Sequence, residues 1–203
     1  MKTLSRERQR KHSEEIRGRI LAIARRIISE EGIESLSIRR ITKEMEYSSG
    51  IVYHYFESKE QILLHVLQES YQRIMNSIHP PSSDLAPDES IRASVKSYIE
   101  AALQWPYEYK AIMLDSSPQV LGFTSVLGKP PQRPALLLLI STLEAGISEG
   151  LFAPCDTQLT AQAIWGAVYG LLVRLIVESD VTPERRALLI ERQTEIILKG
   201  LRP

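Results

Sequence analysis

The sequence predicts an all-α protein of about nine helices, with an N-terminal helix-turn-helix unit followed by a longer C-terminal helical domain. Three observations carry this prediction. Apolar residues recur at helical spacing in nearly every segment, no run alternates as a strand would, and helix start and stop signals recur along the chain. A chain of 203 residues is long enough for one large domain or two smaller ones.

The first helix is predicted to begin at Ser13. A serine is a favourable N-cap, and the two glutamates that follow, Glu14 and Glu15, suit the positive end of a helix dipole. Apolar residues then lie on one face from Ile16 onward, and Gly32 ends the helix.

Two short helices and a long one follow. Ser37 caps the second helix, a turn covers residues 46–48, and the third helix is predicted over residues 49–55. Ser58 and Gln61 form a capping-box pattern that opens the fourth helix. Because two short helices cannot bury their own apolar faces, they must pack on helices 1 and 4. The third helix is therefore held at the surface.

Proline and glycine mark the later boundaries. His79-Pro80-Pro81 ends the fourth helix, and residues 80–88 form the clearest linker. Asp156 or Thr157 caps one later helix, and Thr182-Pro183-Glu184 opens the last. The segment 115–133, rich in serine, glycine and proline, is given no element. The predicted later helices span residues 89–104, 107–114, 134–149, 157–179 and 183–199.

Charge is distributed unevenly, although the chain has a formal net charge of zero. Residues 1–59 carry 13 Lys and Arg against 9 Asp and Glu, and the rest carries 12 against 16. A basic head on an acidic body is expected when one end meets an anionic partner. An excess of this size also arises by chance.

The cysteine content and the N-terminus indicate a cytoplasmic protein. Cys155 is the only cysteine, so no intramolecular disulfide can form, and such a thiol is more often a small apolar residue than a redox sensor. The N-terminus lacks the apolar region of a secretory signal. The longest apolar run, residues 163–173, is too short to span a bilayer and is predicted to be a buried core helix.

Neither catalysis nor a metal site nor a cofactor is predicted. The four histidines do not fall at metal-binding spacings, and the sequence has no glycine-rich phosphate loop and no nucleophile elbow. Ser116 and Ser117 lack a visible His/Asp arrangement.

The third helix has an unusual composition for a solvated helix. It contains hydroxyls, a glycine and aromatic side chains, with no acid before Glu57, and such groups suit phosphates and base edges. Arg39 and Arg40 lie in the first turn of helix 2, where the dipole disfavours a cation by roughly 0.3–1 kcal/mol. A bound phosphate would explain both arginines. Pairing with Glu34 or Glu44 explains them equally well.

Residues 17–63 resemble the DNA-binding domain of the TetR (tetracycline-repressor-like) family. The resemblance rests on Gly32, on Ser37-Ile38, and above all on the run Tyr53-x-Tyr55-Phe56-x-Ser58-Lys59-Glu60 at its distance from Gly50. It implies a sequence-specific transcriptional regulator, namely a ligand-released repressor that binds a pseudo-palindromic operator as a homodimer. The rival interpretation is a helical ligand-binding or interaction protein that has lost operator binding.

The resemblance also implies roles for individual residues. Phe56 fills the core, and Arg39 has an intermediate role. Base-edge and groove contacts are implied for Ser49, Gly50, Ile51 and His54. Phosphate contacts are implied for Ser37, Ser48, Tyr53, Tyr55 and Lys59.

The turn departs from the family pattern. Met45, Glu46 and Tyr47 stand where the family has a small residue, glycine and valine, and Thr42 replaces alanine. Glu46 in a left-handed conformation costs roughly 1 kcal/mol or forces a different turn. Tyr47 must either fill the space of a valine or point outward.

The predicted domains are a flexible basic arm over residues 1–12, a helix-turn-helix domain over 13–65, and a ligand-binding and dimerisation domain over 66–203. The arm either reaches into a minor groove or is a solvated tail.

The family layout implies an unidentified apolar or aromatic effector, bound by Trp105, Tyr107, Tyr109, Met113, Phe123, Trp165 and Tyr169. These aromatics are alternatively core residues. The predicted dimer interface comprises Gly166, Gly170, Val173, Val177, Leu189, Arg192 and Ile196, although the two glycines could instead pack inside one subunit.

Overall fold

The computed structural model describes residues 2–78, 82, 84–114, 116–124, 134–178 and 180–203. Every regular element in these ranges is helical, with ten α-helices and a 3₁₀ turn at Ile33–Ser35. This confirms the all-α class and adds one helix to the nine expected. The helices are α1 Lys2–Glu31, α2 Ile38–Met45, α3 Ser49–Tyr55, α4 Lys59–Ser77, α5 Pro87–Leu103, α6 Pro106–Leu114, α7 Pro118–Thr124, α8 Pro134–Ser148, α9 Thr157–Val177 and α10 Pro183–Leu201.

The prediction that the first helix begins at Ser13 is wrong, because α1 already begins at Lys2. The residues before Ser13 are mostly lysine, arginine, glutamate and glutamine, which are good helix formers. Arg10 also pairs with Glu14 one turn later, at 3.4 Å. The flexibility expected of residues 1–12 stays a prediction.

The additional helix, α7, lies in the stretch to which no element was assigned. Pro118 occupies its first position, which suits a residue without a backbone N–H. The Leu121 N–H donates to the Ser117 carbonyl at 2.9 Å. The rest of that stretch, residues 115 and 125–133, lies outside the described residues, as does the predicted end of the fourth helix at residues 79–81.

Apart from the one at Ser13, the predicted caps are confirmed. The side chains of Ser37, Asp156 and Thr182 each accept a hydrogen bond from the backbone N–H three residues later, at 3.2, 3.0 and 3.2 Å. At the start of α4, the Gln61 N–H donates to Ser58 Oγ at 3.2 Å. The Gln61 side chain accepts from the Glu57 N–H at 2.8 Å. Local side-chain chemistry therefore fixes where these helices begin.

The chain forms two compact units, and the first comprises Met1–Gln72 with Tyr107–Leu121. Its core is built by α1, α2, α3 and the start of α4, with the apolar stripe of α1 at its centre. The fully buried members include Ile20, Ile27, Ile41, Val52 and Ile62. As expected from their length, the two short helices bury their apolar faces on their longer neighbours.

The second unit comprises Arg73–Pro106 with Gly122–Pro203. Within it, α5, α8, α9 and α10 pack together around buried residues such as Ile99, Leu143 and Leu172. The Ala153 N–H, in the loop between α8 and α9, donates to the Leu201 carbonyl at 2.7 Å and so ties the end of α10 to that loop.

Candidate nucleic-acid interface

The turn between α2 and α3 adopts a left-handed conformation at Glu46, with φ 59° and ψ 34°. The Glu46 N–H donates to the Lys43 carbonyl at 3.4 Å, and the Tyr47 N–H donates to the Thr42 carbonyl at 3.1 Å. These two bonds form a Schellman motif, whose left-handed position usually holds glycine. The departure at Glu46 thus leaves the turn type intact and places a strained carboxylate residue in it.

The three other departures are also accommodated, and Met45 is itself a buried core residue. Tyr47 points outward with 41% of its surface exposed, and the Arg19 guanidinium lies over its ring at 5.9 Å from the centroid. The buried Thr42 hydroxyl donates to the Arg39 carbonyl of its own helix at 3.1 Å. Arg19 was not singled out in the sequence, since a residue on α1 gives no sign of contacting a turn 28 positions later.

The exposed side of α3 collects most of the residues expected to contact DNA. Ser48, Ser49, Gly50, Tyr53 and His54 are all exposed, and 57% of the Tyr53 surface is accessible. Ser48 precedes α3, and its side chain makes no capping hydrogen bond there. This side of α3 therefore presents hydroxyl, imidazole and phenol groups with no carboxylate among them.

Ile51 and Tyr55 differ from the other residues of α3, because both are half-buried and pack against the core of the first unit. Lys59 is half-buried at the start of α4. Phe56 is buried and fills the core, as expected. The Arg17 guanidinium lies 5.3 Å from the Phe56 ring centroid, a contact that the sequence did not suggest.

The adjacent arginines of α2 have different surroundings. Arg40 donates to Glu31 at 2.7 Å and lies 3.7 Å from Glu44, and Arg26 also hydrogen bonds to Glu44. The bond with Arg40 holds the pKa of the Glu31 carboxyl below its ordinary value. For Arg40, the ion-pair interpretation of the sequence is therefore the observed one, with the expected Glu44 and with Glu31 in place of Glu34.

Arg39 is exposed, and its guanidinium has no ion pair among the described residues. Only its carbonyl is engaged, by Thr42. Near it, the hydroxyl of Ser37 accepts the capping bond from the Arg40 N–H and still has its own proton to donate. The start of α2 therefore exposes one cation and one hydroxyl donor toward solvent.

The sequence matches two family models. Residues 20–66 match the model for bacterial regulatory proteins of the tetR family. Residues 89–201, more than half of the chain, match the model for the tetracyclin repressor-like C-terminal domain. The chain belongs to the tetR family.

Individual relatives agree with this assignment. The HTH-type transcriptional regulator SAR2658 of Staphylococcus aureus (strain MRSA252) is 28% identical over 104 residues, which is 51% of this chain and 55% of that protein. The alignment thus spans about half the length of the curated relatives.

Solved structures share the fold at low sequence identity. A bacterial regulatory protein of the tetR family from Rhodococcus RHA1 is 19% identical, with a TM-score of 0.67 over 92% of this chain and 97% of that one. RolR in complex with its ligand resorcinol is also 19% identical, with a TM-score of 0.56 over 95% of this chain and 90% of that one. These structures share the fold, and the two family models make this chain a TetR-family transcriptional regulator with a helix-turn-helix DNA-binding domain.

In this TetR-family chain, α9 has an unusual exposed face. Leu159, Ala163, Gly166, Ala167 and Gly170 are all exposed at helical spacing along it, and Arg174 and Val177 continue the row. A Cβ atom added at Gly166 or Gly170 would meet nothing within 4 Å. By length and composition α9 is apolar enough to cross a membrane, which alone is weak evidence for a membrane protein, and only 28% of its most apolar window is buried.

The last helix, α10, also exposes large apolar side chains, since Leu188 and Ile196 are each 58% exposed. We call the exposed row on α9, together with Leu188, Arg192 and Ile196 of α10, the α9–α10 face. Of the residues expected at a dimer interface, Gly166, Gly170, Val177, Arg192 and Ile196 are exposed, whereas Val173 and Leu189 are half-buried within the chain. Leu188 was not predicted, because apolar residues occupy both 188 and 189 and the pattern alone does not say which one faces outward.

The residues expected to line an effector pocket divide between the two units. Tyr107, Tyr109 and Met113 belong to the first unit, where Tyr109 is fully buried and Tyr107 is half-exposed. Trp105, Trp165 and Tyr169 belong to the second unit. The side chain of Phe123 lies outside the described side chains.

Two aromatic contacts stand out in the second unit. The rings of Trp165 and Tyr169 stack one turn apart on α9, with centroids at 5.0 Å and planes inclined by 9°. Burial raises the pKa of the Tyr169 hydroxyl above its ordinary value. The Arg73 guanidinium lies 4.9 Å from the Trp105 ring centroid. No group of three or more potential metal ligands occurs among the described residues.

Proposed function

We propose that this TetR-family regulator is a repressor that binds a pseudo-palindromic operator as a homodimer and is released by a small apolar or aromatic effector. The observation that carries the proposal is the exposed face of α3. Ser48, Ser49, Gly50, Tyr53 and His54 expose donors and a close-approach glycine without a carboxylate, which suits a negatively charged duplex.

Two kinds of contact are assigned to this unit. Ser49, Gly50, Ile51 and His54 are proposed to read base edges in the major groove. Ser37, Arg39, Ser48, Tyr53, Tyr55 and Lys59 are proposed to hold phosphates on either side. Ile51 and Tyr55 are half-buried, so they contribute only the outward edges of their side chains.

The α9–α10 face supports the homodimer. It is mostly apolar, with Arg174 and Arg192 as its charged members. It includes two glycines with open space in front of them, and little of α9 is buried in one copy. Covering it with a second copy forms a four-helix interface related by a twofold axis. Such a dimer places two recognition helices in successive major grooves, about 34–36 Å apart.

The effector is proposed to bind in the second unit, near the stacked pair Trp165 and Tyr169. Two polarisable rings on one helix, the partly desolvated Tyr169 hydroxyl and the Trp105 ring of the same unit suit a planar apolar or aromatic compound. RolR, which shares the fold, binds resorcinol. The effector releases DNA only if it binds more tightly to a dimer whose recognition helices have the wrong separation.

The test is a selection of bound duplexes from a random library with the purified full chain. Enrichment of a pseudo-palindrome is the expected result and yields the operator. If the folded dimer enriches no sequence, the rival function, a helical ligand-binding or interaction protein without an operator, replaces the proposal.

Substitutions then separate the two kinds of contact. Tyr53→Phe and Lys59→Gln should weaken binding to all sequences, and Lys59→Gln should lower the salt slope by about 1. Ser49→Ala should instead change which operators are preferred. An unaltered salt slope in Lys59→Gln would remove that residue from the phosphate contacts.

A further inference from the structure

The N-terminal part of α1 projects beyond the core of the first unit. Among the side chains of α1 that the structure describes, from Arg6 onward, Ile16 is the first buried one. We call residues 2–15 of the helix, which precede it, the overhang. At a rise of about 1.5 Å per residue, this overhang is about 21 Å long. An isolated helix of this length is marginal in water, because helices in proteins are stabilised chiefly by packing.

The direction of the overhang follows from the contacts of α1. Arg17 lies over Phe56 and 3.3 Å from His65, and Arg19 lies over Tyr47. Further along α1, Arg25 pairs with Glu69 of α4. The contact nearer the start of α1 is with the earlier residue of α4, and the contact further along α1 is with the later one. The two helices therefore run in the same direction, and their N-terminal ends lie at the same end of the unit. The overhang therefore leaves the unit at the end where Lys59 begins α4.

The cations of the overhang are arranged by face. Arg6, Arg10 and Arg17 follow one another at helical spacing, and the same row continues into the buried Ile20 and Ala24. The face that packs on the unit's core thus turns basic where the core ends. Arg8 and Lys11 lie on the opposite side of the helix.

These cations are largely unneutralised. Arg6 has no ion pair among the described side chains, and Arg10 has only the exposed pair with Glu14, at 3.4 Å. Exposed i,i+4 pairs contribute little and are readily exchanged for another anion. A phosphate backbone supplies one charge per about 1.7 Å of helix axis.

The geometry points to a second DNA-contacting surface: Arg6 and Arg10 bind backbone phosphates that flank the operator half-site read by α3. This inference rests on the proposed function, because α3 must place the unit on a duplex. The overhang is equivalent in length to about six base-pair steps of about 3.4 Å. It extends the charged contact beyond the helix-turn-helix without reading sequence.

The experiment compares two duplexes that contain the selected operator, one trimmed to the operator and one extended by about ten base pairs at each end. The full chain should bind the extended duplex more tightly, by about tenfold at low salt. Arg6→Gln/Arg10→Gln should lose that gain, and its salt slope should fall by about 0.9 for each phosphate contact removed.

The matched control is Arg8→Gln/Lys11→Gln, which removes the same charge from the opposite side of the same helix. It should keep the gain from the extension. Equal losses in both variants, or no gain for the full chain, would overturn the inference. Glutamine is a good helix former, and a circular dichroism spectrum verifies that α1 persists.

Failure of the proposed function has a different signature. In that case the library yields no operator, and the variants are compared on a mixed-sequence 40-base-pair duplex, where phosphate contacts still act. Where the library does yield an operator, Lys59→Gln should weaken binding to the trimmed and extended duplexes alike. A loss of affinity confined to the extended duplex is expected only when Arg6 and Arg10 are replaced.

Discussion

Two faces of this TetR-family protein are left uncovered by the chain's own packing, and they are chemically opposite. The face of α3 carries hydroxyls, an imidazole and a phenol, whereas the α9–α10 face carries mainly glycine, alanine and large aliphatic residues, with two arginines among them. The first is unusual for a solvated helix, so its composition indicates a partner. The second has the composition of a core helix, and only its exposure distinguishes it from one.

The largest effect is expected on the apolar face, from Gly166→Arg. An added Cβ meets nothing in one copy, so the monomer accepts the arginine. In the proposed dimer the guanidinium would be buried without a partner, which is strongly unfavourable. The dimer dissociation constant should rise at least about 100-fold, equivalent to roughly 2.7 kcal/mol, as measured by sedimentation equilibrium.

Gly18→Arg is the control for this substitution. Gly18 is another helical glycine with nothing within 4 Å of an added Cβ, and it lies in α1 of the first unit. It should leave the dimer intact. Retention of the dimer in Gly166→Arg would show that the α9 face is not the interface and would reopen the question of what covers it.

A buried glycine sharpens the contrast with the open ones. A Cβ at Gly146 of α8 would lie 2.1 Å from Cδ2 of the buried Phe152. Gly146→Ala should therefore destabilise the protein by about 1–3 kcal/mol, as overpacking does, in urea unfolding. Gly18→Ala should stabilise it by about 0.5–1 kcal/mol, because alanine is the better helix former.

The double variant Gly146→Ala/Phe152→Leu tests the cause. If the clash with the ring is responsible, the two substitutions are not additive, and the double variant is more stable than their sum predicts. Additive losses would mean that Gly146 is required for another reason.

The sequence predicted much of the first unit because local chemistry decides its boundaries. Ser37, Ser58 and the hydroxyls and aromatics of α3 carry their own signals, and α3 spans the predicted residues. The predicted start of α1 was wrong. Ser13 is a favourable N-cap, but the residues before it are equally favourable inside a helix. Which of Leu188 and Leu189 faces outward on α10 could not be predicted, because the two residues are of the same type and differ only in what packs against them.

The DNA-facing side is itself divided, as the neighbouring arginines of α2 show. Arg39→Gln should weaken operator binding about tenfold and lower the salt slope by about 1, because its guanidinium is free to meet a phosphate. Arg40→Gln should leave the salt slope nearly unchanged, since Glu31 and Glu44 already neutralise that cation. Filter-binding titrations over a range of salt concentrations measure both slopes.

Arg40→Gln should instead produce a small change in pH-dependent stability. Arg40 lowers the pKa of Glu31 in the folded state, so this pair stabilises the fold above the unfolded pKa of the glutamate. That contribution disappears as the pH falls through the folded pKa, and in Arg40→Gln it should be missing at neutral pH as well. Equal salt slopes for the two variants would contradict the distinction between the arginines.

The smallest effect is expected at Glu46, where a carboxylate stands at the edge of the DNA-facing side. Its left-handed backbone, with φ 59°, costs a side-chain-bearing residue roughly 1 kcal/mol that glycine avoids. Glu46→Gly should raise the free energy of unfolding by about 0.5–1 kcal/mol, the gain being reduced by the greater freedom of glycine in the unfolded chain. Glu46→Gln retains the strain and should not be stabilised.

Both Glu46 variants remove a negative charge close to the proposed phosphate contacts, so both should bind the operator more tightly, and to a similar extent. A gain in affinity confined to Glu46→Gly would mean that the turn geometry, and not the charge, limits how α3 meets the duplex. Equal stability of the two variants would contradict the strain argument. The proposed DNA-facing side thus has two requirements, a backbone that aims α3 outward and a surface free of carboxylates, and the Glu46 variants separate them. The α9–α10 face has neither requirement.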